Sequence, residues 1–312
     1  MNGGEDRHVP VLMHELLEQL RVRPDGIYVD GTYGRGGHSR ALLERLGPQG
    51  RLIVIDRDPR ALESAHALAA TDARVTAVKG SFGEIERIAA GLEILGKVDG
   101  IVLDLGVSSP QLDDPERGFS FLRDGPLDMR MDPDSGMSAA DWINSASEAD
   151  MARVMLRLGE ERAARRIARA ICNARNTKRI ERTGQLADII EGVLPRRGKG
   201  KHPATKTFQA IRIYINNELG ELQAFLQVVL KVLAAGGRLC VISFHSLEDR
   251  LVKRFLRDNS RVDPALASLP VVPAEAQPLM RLIGKAVHAS DTEIELNPRS
   301  RSAVLRTGER LA

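Results

Sequence analysis

Four stretches in the first third of the chain carry side chains capable of chemistry, and each follows a short run of β-branched or aliphatic residues. The first is Asp30-Gly31-Thr32-Tyr33-Gly34-Arg35-Gly36-Gly37-His38-Ser39. Its glycines let a backbone turn tightly and approach a ligand closely. The second is Asp56, about 25 residues after Gly31, where an acid can accept hydrogen bonds from ribose hydroxyls. Third, Gly80-Ser81-Phe82 offers an aromatic ring for packing against an adenine. Fourth, Asp104-Leu105-Gly106-Val107-Ser108-Ser109-Pro110-Gln111 supplies an acid followed by two hydroxyls. Each has an ordinary structural reading: a tight loop, a capping carboxylate (for which Asp58 competes), core packing, and an N-cap serine. A random α/β sequence would seldom place a candidate ligand group at four successive strand ends.

The elements that position these groups follow from hydrophobic rhythm. Gly26–Asp30, Arg51–Asp56, Arg74–Lys79 and Gly100–Asp104 read as short buried strands, separated by helical segments at His14–Leu20, at Ser39–Leu46 and after Asp58-Pro59. Strands alternating with helices predict a parallel sheet covered on both faces. The rhythm stops at Leu112. Asp113–Met137 reads as an irregular connection rich in Asp, Gly and Pro, and Ser138–Ile190 has helical spacing with almost no strand signal. A long amphipathic helix from Asn216 to Leu233, a break at Gly236-Gly237 and a strand Arg238–Phe244 restore the βα pattern, followed by a helix Leu247–Leu256. Late strands at Leu282–His288 and Ser302–Arg306 suggest a closing hairpin. The expected architecture is one α/β domain, residues 1–112 and 216–312, interrupted by a mainly helical domain at 113–215.

The glycine spacing after the first strand, Gly31-x-x-Gly34-x-Gly36-Gly37, is not the dinucleotide fingerprint. S-adenosylmethionine has no pyrophosphate to neutralise and presents an amino acid, a sulfonium, a ribose and an adenine. A loop that opens on Asp30 suits it better than it suits NAD. Leu233-Ala234-Ala235-Gly236-Gly237-Arg238-Leu239 also has the helix–break–strand form common before the fifth strand of class I methyltransferases.

Length and composition narrow the classes. The chain of 312 residues fits roughly two units of about 150. With 43% hydrophobic and 28% charged residues it is neither disordered nor fibrous. No apolar run reaches the roughly 18–20 residues of a membrane helix, and the start lacks the features of a signal peptide. Cys172 and Cys240 form neither a disulfide framework nor a zinc pattern, so a cytosolic protein is expected. The net charge of +3 is unevenly spread. Asp113–Ala152 carries 3 basic and 10 acidic residues, whereas Arg153–Ile215 carries 16 basic and 5 acidic. Such clustering is an electrostatic footprint for nucleic acid, although a solvated helix face gives the same count.

Longer blocks are more specific. The two loops opening on Asp30 and Asp104, the latter continuing to Asp113, are joined by Asp56-Arg57-Asp58-Pro59, Arg117-Gly118-Phe119-Ser120-Phe121, Leu127-Asp128-Met129-Arg130-Met131-Asp132, His202–Arg212, Ser243–Arg250 and Asn297–Ala303. In this order the sequence resembles the bacterial 16S ribosomal RNA (cytosine-N4)-methyltransferase family over nearly its whole length. The resemblance implies a Rossmann-like class I methyltransferase sheet with a helical insertion, S-adenosylmethionine as donor, and a cytosine in the decoding region of 16S ribosomal RNA, within the small subunit, as acceptor. Matched residue by residue, it implies donor contacts at Gly36, Gly37, His38, Asp56, Phe82, Asp104 and Gln111; His38 and Gln111 come mainly from the resemblance.

For catalysis, Asp104, Ser108 and Ser109 are the candidates. DNA amino-methyltransferases carry Asp/Asn-Pro-Pro-aromatic after strand four, and this chain has Asp104-Leu105-Gly106-Val107 instead. Aromatic residues make up only 4%, so RNA recognition by shape and phosphate, with one base inserted into a pocket, fits better than extended stacking. Arg196, Arg197, Lys199 and Lys201 form a glycine-interleaved basic loop suited to phosphates. Arg162, Arg165, Arg166 and Arg169 recur at helical spacing and either bind RNA or pair with acids such as Glu160 and Glu161. Asp128 and Asp132 alone are a weak metal signal, and no metal is expected. Two alternatives differ in what they need. A non-enzymatic S-adenosylmethionine-sensing nucleic-acid binder needs no strand-four loop, and a DNA amino-methyltransferase needs the missing aromatic motif.

Overall fold

The computed structural model describes residues 10–194, 202–262, 265, 273 and 276–312. The chain divides into two compact units, Met1–Gly106 with Gly220–Ala312, and Val107–Leu219. The insertion therefore starts earlier than residue 113. Val107 and Leu112 pack against the helical core of the second unit, which draws the strand-four loop into it.

In chain order the first unit contributes α1 (Met13–Leu20), β1 (Ile27–Asp30), α2 (Gly37–Leu43), β2 (Arg51–Asp56), α3 (Pro59–Thr71), β3 (Val75–Lys79), α4 (Ile85–Gly91) and β4 (Val98–Asp104). The second unit holds α5 (Ser109–Asp113), α6 (Ala139–Ser145), α7 (Glu148–Gly159), α8 (Ala164–Thr177), α9 (Thr183–Val193) and α10 (Thr205–Ile215). The chain then returns through α11 (Glu218–Val232), β5 (Leu233–Ser243), α12 (Ser246–Asn259), β6 (Met280–Leu282), β7 (Val287–His288), α13 (Asp291–Leu296) and β8 (Val304–Arg310).

The sheet order is β3-β2-β1-β4-β5-β8-β6, with β7 also paired to β8. The pairings from β3 to β5 are parallel, and β8 runs antiparallel to β5. Strand order reverses between β1 and β4, the point at which open α/β sheets form a ligand crevice beyond their carboxyl ends. Asp30 and Asp104 occupy those two ends. Alternation along the strands divides the core in two. Val29, Ile53, Ile55, Ile101, Leu103 and Val241 pack with Ile88, Phe225 and Val252, from α4, α11 and α12. Tyr28, Leu52, Val54, Val102, Cys240 and Ile242 pack with Leu16, Leu42 and Ala65, from α1, α2 and α3.

Two details depart from the sequence expectation. β5 begins at Leu233 rather than after Gly237, because Leu233 already pairs with Val98; a bulge carries Gly236 at φ +78°, and regular pairing resumes at Arg238. The late strands form no two-stranded hairpin. Gly284, at φ +65°, interrupts Leu282–His288, so that Leu282 ends β6, Val287 and His288 form β7, and both strands pair with β8. The second unit is helical as expected. Met151, Met155, Ile167, Ile171, Leu186, Ile190, Phe208 and Ile211 form its core with Trp142.

Candidate active site

The loop after β1 is folded by its own acid. Asp30 is buried, and its carboxylate accepts from Ser39 Oγ at 2.6 Å and from the Thr32 amide at 3.1 Å. Gly31 N donates to Val102 O at 2.9 Å and Tyr33 N to Ile55 O at 3.1 Å, so the loop is tied to β4 on one side and β2 on the other. Gly36 has φ +70°, and a Cβ there would lie 2.6 Å from the buried Tyr33 ring. Only glycine satisfies both conditions.

Asp56 and Asp58 divide the roles that the sequence left in competition. Asp58 caps α3 by accepting from Arg60 N at 3.0 Å, with Pro59 in the first turn. Asp56 accepts from the amides of Gly34 at 2.8 Å and Asp58 at 2.9 Å, one on each oxygen. Burial pushes its carboxyl up to about 6 against those two donors. Phe82 is committed to packing. It opens a 3-10 turn capped by Ser81, lies buried in the α4/α11 core and meets Phe225 edge-on at 6.0 Å. Adenine packing and core packing were alternatives for this ring, and the core takes most of its surface.

Asp104 ends β4, with its amide donating to Thr32 Oγ1 at 2.6 Å. Its side chain keeps 28% of its surface, yet Oδ1 is buried without a hydrogen-bond partner. Oδ2 lies 3.7 Å from His38 Nδ1, too long for a hydrogen bond but close enough for charge to matter. Burial pushes the Asp104 carboxyl up to about 6; His38 opposes the shift, while Asp30 and Glu248 add to it. His38 is itself buried, and its Nε2 lies 3.0 Å from Val11 O. A carbonyl can only accept, so Nε2 carries a proton and Nδ1 faces Asp104. Sequence reasoning gave His38 a donor-binding role without seeing this link to Asp104; nothing in the spacing of the two residues signals it. It also gave no role to His245, the N-cap of α12. There Glu248 accepts from Phe244 N at 3.0 Å and meets His245 Nε2 at 3.2 Å.

The remaining expected residues belong to the second unit. Ser108 precedes α5, and its amide donates to Gln111 Oε1 at 2.9 Å, so Gln111 reaches back as a capping side chain. Ser109 is the first residue of the helix. Asp128 takes Arg130 Nε and Nη2 at 2.9 and 2.6 Å, which commits both its oxygens to an ion pair. The buried Arg117 donates to the carbonyls of Arg130 and Met131, and Asn216 bonds the backbone of Met129 and Met131 at 2.7 Å each. Phe121 stacks on His202 at 4.4 Å and meets Phe208 at 4.8 Å. Several blocks of the resemblance thus serve to build this unit. Arg196, Arg197, Lys199 and Lys201 lie outside the described residues.

A family model described as the MraW methylase family matches residues 5–311. The chain belongs to the MraW methylase family. It is an S-adenosylmethionine-dependent methyltransferase that modifies the exocyclic N4 of cytosine in the decoding region of 16S ribosomal RNA. Among solved structures, an rRNA methylase from Streptococcus thermophilus aligns with 96% of this chain and 95% of its own at 10% identity and a TM-score of 0.43. A SAM-dependent methyltransferase from Aquifex aeolicus covers 96% of this chain and 90% of its own at 9% identity and a TM-score of 0.42. The assignment rests on the family match. No helix among the described residues is long and apolar enough to cross a membrane.

The residues of a MraW methylase must hold a cationic donor, and those at the ends of β1, β2 and β4 fit one. Asp30, Asp56 and Asp104 are all pushed above the usual carboxylate range by burial. A buried carboxylate oxygen without a donor, such as Asp104 Oδ1, costs free energy until something brings it an N–H or a positive charge.

Proposed function

We propose that in this MraW methylase the first unit holds the donor and Val107–Leu219 recognises the RNA, with the small ribosomal subunit in the cytoplasm as the working substrate. Gly36, Gly37 and His38 line the donor site, Asp56 accepts from its ribose, and Phe82 bounds its adenine with the ring edge that core packing leaves. Arg196, Arg197, Lys199 and Lys201 neutralise RNA phosphates.

The donor supplies a methyl group made electrophilic by a sulfonium. The chain's own task is to present the cytosine amine, a poor nucleophile because its lone pair is delocalised into the ring. Asp104 Oδ1 accepts a hydrogen bond from N4–H, which turns the lone pair out of the ring and fixes its direction. With its carboxyl near 6, Asp104 is ionised at neutral pH and holds a proton more readily than an exposed aspartate, so it takes the one N4 sheds. His38, anchored through Nε2 on Val11 O, places Nδ1 3.7 Å from the other oxygen.

The unpartnered Asp104 Oδ1 is the observation that carries this reading. Tritiated-methyl transfer to naked 16S RNA, free small subunits and whole ribosomes, followed by nucleoside analysis, tests it. N4-methylcytidine made most rapidly on small subunits is expected; transfer to naked RNA alone would remove the subunit from the proposal.

A further inference from the structure

We infer that the cleft between α8 and α9 is a seat for a phosphodiester of the RNA substrate, formed by residues other than Arg196, Arg197, Lys199 and Lys201. The inference rests on the RNA-binding role proposed for this unit. Arg166, Arg169, Ala170 and Asn173 follow one another on a single face of α8 and, with Gly192 and Val193 of α9, line a cleft of about 320 Å³. The opposite face, with Ile167, Ala168 and Ile171, is buried in the helical core, so this face is the one α8 presents outward.

Four arginines and no acid occur between Ala164 and Thr177. A helix face kept charged for solubility usually carries acids three or four residues from its bases. Arg165 and Arg166 also lie in the first turn, where cations oppose the helix dipole. Of Arg162, Arg165, Arg166 and Arg169, only Arg169 has a carboxylate within 4 Å among the described residues: Glu148, at 3.5 Å, with both side chains largely in water. Such a pair contributes little and yields readily to a stronger anion. Glu191, beside Gly192 in α9, is engaged by His202 at 2.5 Å, whereas Asp188, one turn before Gly192, is exposed.

Arg166 Nη2 donates to Val193 O at 3.0 Å, which steadies its guanidinium at the cleft while using one of five donors. A planar guanidinium held in place, a second beside it and the Asn173 amide match the several oxygens of a phosphodiester. Gly192 leaves room: no atom lies within 4 Å of where its Cβ would be.

The test uses the full chain and naked 16S RNA, with affinity measured between about 50 and 200 mM salt. Arg166→Ala/Arg169→Ala should bind RNA more weakly and flatten the salt slope by roughly 1.4, or 0.7 for each phosphate no longer neutralised. Across that salt range the wild type then loses about sevenfold more affinity than the variant. Gly192→Glu, whose Cβ would meet open space, should also weaken RNA binding. Both variants should keep their affinity for S-adenosylmethionine, which shows that the fold survives. Removing two exposed cations of the first unit, with Arg87→Ala/Lys97→Ala, should leave the slope unchanged. An unchanged slope in Arg166→Ala/Arg169→Ala, with a wild type that methylates the same RNA, overturns the cleft alone. A wild type that forms no N4-methylcytidine on naked RNA or on free small subunits overturns the acceptor reading instead. Displacement of RNA from the wild type by polyglutamate but not by polyuridine would assign the cleft to an acidic protein and refute the inference.

Discussion

Replacing Asp104 with asparagine should make the protein more stable and nearly inactive. The Asp104 carboxyl stands at about 6 against an ordinary value of 3.8. Each tenfold difference in proton affinity is worth about 1.4 kcal/mol, so keeping this group ionised costs the folded state about 3 kcal/mol. Partial exposure of the side chain, at 28%, and the need to satisfy a new amide reduce the expected gain to about 1–2 kcal/mol. The sign follows from linkage. A carboxyl raised in the folded state destabilises fully above about 6, and the penalty fades as pH falls toward 3.8. Urea unfolding of donor-free protein should therefore show Asp104→Asn more stable than wild type at pH 8, with the advantage largely gone near pH 4. Methyl transfer should fall by about a hundredfold or more, the usual contribution of a positioned acid–base group. A variant no more stable at pH 8, or one whose advantage does not shrink on acidification, would refute the claim of an uncompensated buried charge. Retained activity would refute the role of Asp104 as the acceptor of the proton that N4 sheds.

Other perturbations separate the parts of the site. Asp56→Ala should weaken S-adenosylmethionine binding by about 1.5–3 kcal/mol, the range for hydrogen bonds to a charged group; unchanged affinity by calorimetry in a folded variant would remove the ribose contact. Cys172→Ala/Cys240→Ala should leave methylation intact, because the Cys240 thiol is buried in β5 and pushed up to about 12. Loss of activity, or 5-methylcytidine in the product, would point to covalent attack on the ring by a cysteine. Replacing Arg196, Arg197, Lys199 and Lys201 together with alanine should spare donor binding while flattening the salt dependence of RNA binding by roughly 0.7 for each phosphate those side chains had neutralised. The same slope as wild type would take the loop out of the interface.

What was legible in the sequence was whatever depends on local pattern. The β-branched runs mark β1 to β4 because buried parallel strands need apolar side chains on both faces, and the acids that end β1, β2 and β4 stand where those runs stop. Pairing across the chain was not legible. Leu233 reads as the end of an amphipathic helix, and only its partner Val98 makes it the start of β5. Leu282–His288 reads as a strand until β8 arrives to pair with β6 and β7 on either side of Gly284. The site shows the same division. The residue types at the strand ends could be listed from the sequence, but the competition between Asp56 and Asp58 was decided by which amide each carboxylate meets. The contact of His38 with Asp104, 66 positions apart, follows only from the adjacency of β1 and β4.

That adjacency also explains why the site is costly to the fold that carries it. Parallel strands bring their carboxyl ends to one edge, so a sequence that ends β1, β2 and β4 in aspartate concentrates negative charge at a single place. In the folded protein the charge is only partly answered. Ser39 and backbone amides serve Asp30 and Asp56, and His38 faces one oxygen of Asp104 from 3.7 Å. All three carboxyls remain pushed up by burial. A neutral ligand that brings N–H or O–H donors relieves part of this. A ligand that also brings a positive charge relieves more, and its affinity then includes electrostatic free energy that folding left unmet. In the proposed donor site this arrangement would favour a cationic methyl donor over the thioether it becomes, the direction an enzyme needs if product is to leave after each transfer.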